Sequence, residues 1–130
     1  MDSTALDEIP LFASLTTEER AEVAASLRPL AVEAGTILAV RGDNAFQWFV
    51  IESGSAEVRR EGDVVRTLGP GDVFGEIGLV ATGTRTASVV ATSPVRLGAM
   101  FMRDFTRLER RMPTLAHAVR RTMADRPWIS

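Results

Sequence analysis

Turn-forming residues cut the middle of this chain into pieces too short for ordinary helices. Gly35, Gly42-Asp43-Asn44, Ser53-Gly54-Ser55, Glu61-Gly62-Asp63, Gly69-Pro70-Gly71-Asp72 and Gly83 punctuate the stretch from Arg28 to Met100. Glycine supplies positive φ, proline presets the first turn dihedral, and asparagine or aspartate bonds its own backbone. Short strands recurring every 8 to 12 residues or so between such breaks point to an antiparallel sandwich or barrel. Strands are expected near Leu30–Val32, Thr36–Val40, Gln47–Glu52, Ala56–Arg60, Val64–Leu68, Val73–Phe74, Thr86–Ala91 and Val95–Met100, and these eight fit a jelly-roll barrel. The fold class is therefore mainly β with flanking helices.

The run Trp48-Phe49-Val50-Ile51 is continuously apolar, as in a central strand covered on both faces, and Trp48 reads as core. Arg59-Arg60 followed by Glu61-Gly62-Asp63 reads as a solvated hairpin end. Upstream, residues 9–27 carry a helical pattern. Thr16 and Glu19 have the spacing of a capping box, and Leu15, Val23 and Leu27, with Ala24 beside them, form one buried stripe. Downstream of Met100 the helical period returns over residues 101–124. Phe101, Phe105, Leu108 and Met112 share one face. Pro113 suits the first turn of a second helix, with Leu115, Ala118, Val119 and Thr122 as its stripe.

Composition sets the outer limits. A chain of 130 residues with 45% hydrophobic content is expected to form one domain, residues 1–130, around ample core. A net charge of −2 argues against a surface built for nonspecific nucleic-acid binding, and no nucleic-acid contact is expected. All of the basic residues are arginine, a bias consistent with a GC-rich bacterial genome. The absence of cysteine excludes disulfides and thiolate chemistry and fits a reducing cytoplasm. The acidic start lacks a signal peptide's regions, and no apolar run approaches the roughly twenty residues that span a bilayer, so a cytoplasmic chain without membrane contact is expected. The initiator methionine and plain tail favour a whole protein over a fragment.

The candidate site is the segment 74–88, from Phe74-Gly75-Glu76-Ile77-Gly78-Leu79 to Arg85-Thr86-Ala87-Ser88. A glycine lets backbone approach a ligand closely, and the first amides of a short helix point outward as donors where the helix dipole favours an anion. Arg85 adds a planar charged fork able to grip two phosphate oxygens. Glu76 cannot bind that anion, but it suits a hydroxyl on the same ligand, as in a ribose monophosphate. Phe74-Gly75-Glu76, followed by apolar residues and then by Arg85-Thr86-Ala87, resembles the phosphate-binding cassette of cyclic nucleotide-binding domains. That family includes the sensor domains of the catabolite activator protein, the regulatory subunits of cyclic-AMP-dependent protein kinase, and cyclic-nucleotide-gated channels. The resemblance runs from about Leu11 to about Ala124. Thr84 and Gly78 depart from it, since many relatives carry proline and alanine there.

The resemblance implies roles. Glu76 would accept the ribose 2′-hydroxyl and Arg85 would hold the cyclic phosphate. The amides of Ile77, Gly78 and Ala87 and the Thr86 hydroxyl would complete the cradle, after the close approach at Gly75. Val58 would lie in the apolar floor beneath the base, or be a core valine. The C-terminal helices would form a lid and relay. No enzyme, metal or cofactor is implied. The ligand would be cyclic AMP, with cyclic GMP possible, and the partners the nucleotide and an unidentified downstream effector, with oligomeric state open. Two other arrangements fit the same residues: a domain whose Glu76 and Arg85 pair with each other and which docks or dimerises without ligand, and the sensor fragment of a transcription regulator or channel.

Other residues are less telling. His117 is the only histidine, too few for a multi-histidine metal centre or a triad, and reads as a surface or helix-packing residue. Arg120 and Arg121 read as a solvated helix end. Trp128 could stack on a base but reads rather as part of a loose tail.

Overall fold

The computed structural model describes residues 1–42, 46–75 and 87–125. At the N-terminal end the expected helical segment is divided. A short helix α1 (Ser3–Leu6), not anticipated from sequence, is capped by the Asp2 carboxylate, which accepts from Thr4 N at 3.0 Å. A 3-10 turn follows at Pro10–Phe12, and then α2 (Thr17–Ser26). The capping box of α2 is formed: Glu19 N donates to Thr16 Oγ1 at 3.1 Å and Thr16 N donates to Glu19 Oε1 at 2.8 Å. Pro29 disfavours a helical residue before it, so the chain leaves α2 at Leu27 (ψ 116°) and becomes a strand. Arg20 ties these pieces together, with Nε 2.9 Å from Asp7 Oδ1 and Nη1 donating to Leu15 O at 2.7 Å.

Eight strands follow: β1 (Arg28–Val32), β2 (Ile37–Ala39), β3 (Gln47–Ser53), β4 (Ala56–Arg60), β5 (Asp63–Leu68), β6 (Val73–Phe74), β7 (Ser88–Ala91) and β8 (Val95–Phe101). They form two antiparallel four-stranded sheets in the orders β1-β8-β3-β6 and β2-β7-β4-β5. Pairing first with last, second with seventh, third with sixth and fourth with fifth is the nested order of a jelly roll. The barrel expected from sequence is not closed: among the described residues no ladder joins one sheet to the other. The crossings between sheets run instead through turns, such as the one where Gly35 N donates to Ala91 O at 2.7 Å. The architecture is therefore mainly β, a two-sheet sandwich with flanking helices.

Alternation along β3 explains its continuous apolar run. Trp48 and Val50 face a helical layer built from Leu6, Ile9, Phe12, Val23 and the C-terminal helices, while Phe49 and Ile51 face the space between the sheets. Trp48 lies 6.1 Å from Phe12 and 5.6 Å, edge-on, from Phe105, as its reading as core requires. The β4–β5 turn is also as expected. Glu61 (φ 51°) and Gly62 (φ 85°) both take the left-handed conformation, which matches the twist of a two-residue hairpin.

The chain ends in α3 (Met102–Arg111) and α4 (Pro113–Asp125), with Pro113 at the first position. Phe105, Leu108, Met112, Leu115 and Val119 are buried, and Ala118 is half-buried against them. Phe101 departs from the expected stripe. It pairs with Gln47 as the last residue of β8, and its ring lies beneath the Arg28 guanidinium at 4.3 Å. The Thr122 side chain and the whole of Trp128 lie outside the described residues.

Candidate functional site

The two ends of the candidate segment are fixed in different sheets. On the entry side, Gly69-Pro70-Gly71-Asp72 makes a turn in which Asp72 N donates to Gly69 O at 3.0 Å, with Gly71 at φ 87°. Proline followed by a positive-φ glycine is the sequence of a type II turn. Asp72 also accepts from Gly69 N through Oδ2 at 2.8 Å and stands 3.6 Å from Arg66 Nη2. Ile51 N donates to Asp72 O at 2.9 Å, and Gly71 N donates to Ile51 O at 2.8 Å, so the turn is stitched to β3. The chain therefore enters β6 in a fixed register, Phe49 opposite Phe74 and Val50 opposite Val73, and the two phenylalanine rings stack at 4.8 Å.

Gly75 follows, buried and at φ 92°, a conformation that would strain any residue with a Cβ. On the exit side Ala87 is buried between the sheets, and β7 resumes with Ser88 opposite Arg59 and Val89 opposite Val58. Ser88 Oγ accepts from Arg41 N at 3.0 Å and secures this end. The described chain thus leaves one sheet at Gly75, beside β3, and is next described at Ala87, leading into β7 beside β4 in the other. Of the residues expected to bind, Gly75, Ala87 and Val58 are described: Gly75 ends the stretch after β6, Ala87 precedes β7, and Val58 is paired with Val89. Glu76, Ile77, Gly78, Arg85 and Thr86 lie outside the described residues.

Val58 is fully buried in the layer that also holds Phe49, Leu68, Phe74 and Ala87. Sequence reasoning missed Arg66 and the stitch from Asp72 to β3. Asp72 was visible as a turn residue, but its bond to a strand distant in sequence carries no local signal.

Of the remaining candidates, His117 and Arg121 line a cavity with Gly71 and Val73 of the entry side. His117 and Arg121 are exposed on α4, with Arg121 Nη2 3.4 Å from His117 Nε2, and Arg120 is exposed too. Burial raises the Glu109 carboxyl above its ordinary value, and Arg120 partly opposes this. Among the described residues no group of histidine, aspartate and glutamate could hold a metal ion. No helix among them is long and apolar enough to cross a membrane.

Comparison with known proteins accounts for this geometry. The model of the cyclic nucleotide-binding domain matches residues 29–111. The chain is 38% identical over 104 residues to a cAMP-dependent protein kinase regulatory subunit of Schizosaccharomyces pombe, covering 79% of this chain and 25% of that protein. It is 33% identical over 118 residues to a cyclic nucleotide-gated potassium channel of Rhizobium etli, covering 91% of this chain and 33% of the channel. It therefore spans only a quarter to a third of these relatives' length. Among solved structures it resembles the Thermus thermophilus catabolite activator protein, with a TM-score of 0.82 and 31% identity over 90% of this chain and 57% of that one. With the family model spanning both sheets and the connection between β6 and β7, the chain belongs to the cyclic nucleotide-binding domain family.

Proposed function

We propose that this domain is a cyclic nucleotide sensor that takes cyclic AMP, and also accepts cyclic GMP, in the segment 74–88. The observation that supports this most is the buried, positive-φ Gly75 directly before Glu76, at the point where a short fixed strand hands the chain to the other sheet. In this reading Arg85 grips the cyclic phosphate, Glu76 accepts the ribose 2′-hydroxyl, and the amides of Ile77, Gly78 and Ala87 with the Thr86 hydroxyl close the cradle. Val58 and its neighbours support the apolar side of the pocket. The domain binds rather than catalyses, works in the cytoplasm, and passes its signal to an effector through α4. Ligand shifts α4 only by binding its two positions unequally.

The test is calorimetric titration with cyclic AMP, cyclic GMP, 5′-AMP and 2′-deoxy cyclic AMP. Cyclic AMP should bind, and the 2′-deoxy analogue should be weaker by about 1 to 3 kcal/mol, because it leaves the Glu76 carboxylate unpaired. Equal affinity for these two would remove Glu76 from the site. No heat with either cyclic nucleotide would overturn the sensor reading in favour of a ligand-free docking module. Amide exchange in residues 113–124 should slow on saturation, and unchanged exchange would contradict the relay.

A further inference from the structure

The inter-sheet face of the β1-β8-β3-β6 sheet does not end where its buried core ends. Phe49 and Ala99, directly paired, are the last buried couple, and the next positions on the same face are Gln47 and Phe101. Beyond them Phe46 is 65% exposed and Met102 is 42% exposed. The Phe46 backbone is held in place, since Met102 N donates to Phe46 O at 2.8 Å, while its ring stands in solvent. Two guanidiniums flank the patch, Arg28 at 4.3 Å and Arg103 at 5.4 Å from the Phe101 ring centroid. Arg28 donates to Gln47 Oε1 at 2.9 Å, and neither arginine has a carboxylate partner among the described residues. The neighbouring acid on α3, Asp104, is engaged by Arg107 at 3.6 Å.

Aromatic, methionine and arginine side chains clustered this way are the composition enriched at protein interfaces. A guanidinium stacked on a ring keeps its N–H edge free to meet a carboxylate. We propose that this end of the sheet docks an acidic segment of a partner protein carrying an aromatic or aliphatic anchor, which would sit against Phe46 and Met102 between the two arginines. Charge decides the occupant. The chain as a whole carries −2, yet this patch presents two cations and no acid among the described residues. A second copy docking the same face would set arginine against arginine. Phe74 pairs with Phe49, so Gly75 leaves the sheet at this same end, and a partner here would lie beside the start of the 74–88 segment.

The test needs no nucleotide, so its outcome is separate from that of the sensor reading. A fluorescent synthetic peptide of glutamates interspersed with leucine and phenylalanine, and its lysine counterpart, are titrated against the protein. The acidic peptide should bind and the basic one should not. Arg103→Glu should weaken the acidic peptide about ten-fold and let the lysine peptide bind, in line with the role of complementary charge at interfaces. Phe46→Ser should weaken it independently. Both side chains are exposed, and unchanged circular dichroism and thermal midpoint confirm that the variants fold. No binding of the acidic peptide, equal binding of both peptides, or indifference to Arg103→Glu would overturn the proposal. So would a concentration-dependent dimer abolished by Phe46→Ser, which would assign the face to a second copy.

Discussion

The two buried layers of this domain are packed differently. Between the sheets, Ala39, Ala56, Ala87, Ala91 and Ala99 alternate with larger side chains, Phe49, Phe74, Ile51, Leu68 and Leu97, and with valines, so small and large residues interdigitate. On the outer face of the β1-β8-β3-β6 sheet, Trp48, Phe12, Phe105, Met100, Met112 and several leucines fill the layer, and among the described residues Ala24 is its one buried alanine. Long unbranched and aromatic side chains can repack as helices shift, whereas small ones interdigitated with large ones cannot. The pairing suits a rigid frame with an adjustable helical cover. Two strands are split evenly between the layers: β3, with Trp48 and Val50 in the helical layer and Phe49 and Ile51 between the sheets, and the two-residue β6, with Val73 in the helical layer and Phe74 between the sheets. Gly75 and the candidate segment follow directly.

The largest effect should come from the hub of the helical layer. Trp48→Ala removes a fully buried ring touching Phe12 and Phe105, and urea unfolding should show a loss of about 3 to 5 kcal/mol. Trp48→Phe should cost much less, because Trp48 Nε1 is buried without a hydrogen-bond partner among the described residues and its removal relieves that penalty. If both variants lose the same stability, the unpaired indole is not a burden.

An enlargement between the sheets and a volume-conserving exchange in the helical layer set the two side by side. Ala99→Leu has no space between the sheets and should cost roughly 1 to 3 kcal/mol, while Met112→Leu in the helical layer should cost under about 1.5 kcal/mol. The reverse order would break the comparison. Thr16→Ala deletes the cap of α2 and should cost about 1 kcal/mol, while amide exchange in β4 and β7 stays as it was. The smallest effect concerns Glu109. Its carboxyl is raised above 4.5 in the fold by burial, so the charged form costs stability above the folded value, and that cost fades as pH falls through the folded value toward 4.5. Relative to Glu109→Gln, the wild type should gain stability over that descent. A constant difference would mean that the carboxyl is fully solvated.

Much of the frame was legible because its signals are local. Glycine-centred turns and alternating apolar residues located all eight strands to within about two residues, the usual uncertainty of such boundaries. The Thr16–Glu19 box was readable for the same reason. Phe101 was misplaced because its spacing to Phe105 satisfies the helical period equally well, and only pairing with Gln47 extends β8 to include it. The short α1 was hidden in a segment read only as acidic, although Asp2 carried the capping signal. Sheet closure was not legible, because whether ladders join depends on pairings between strands far apart in sequence. At the candidate site, the motif singled out Gly75 and Ala87 and the resemblance singled out Val58 as expected binding residues, whereas the Asp72 bonds that set the register of β6 needed the fold.

The most direct test is calorimetric titration of cyclic AMP into the wild type and Arg85→Ala at matched salt. Loss of a desolvated charge pair should weaken binding by about 2 to 5 kcal/mol, or roughly thirty-fold and upwards. Equal affinity in the two proteins would contradict nucleotide binding through the 74–88 segment.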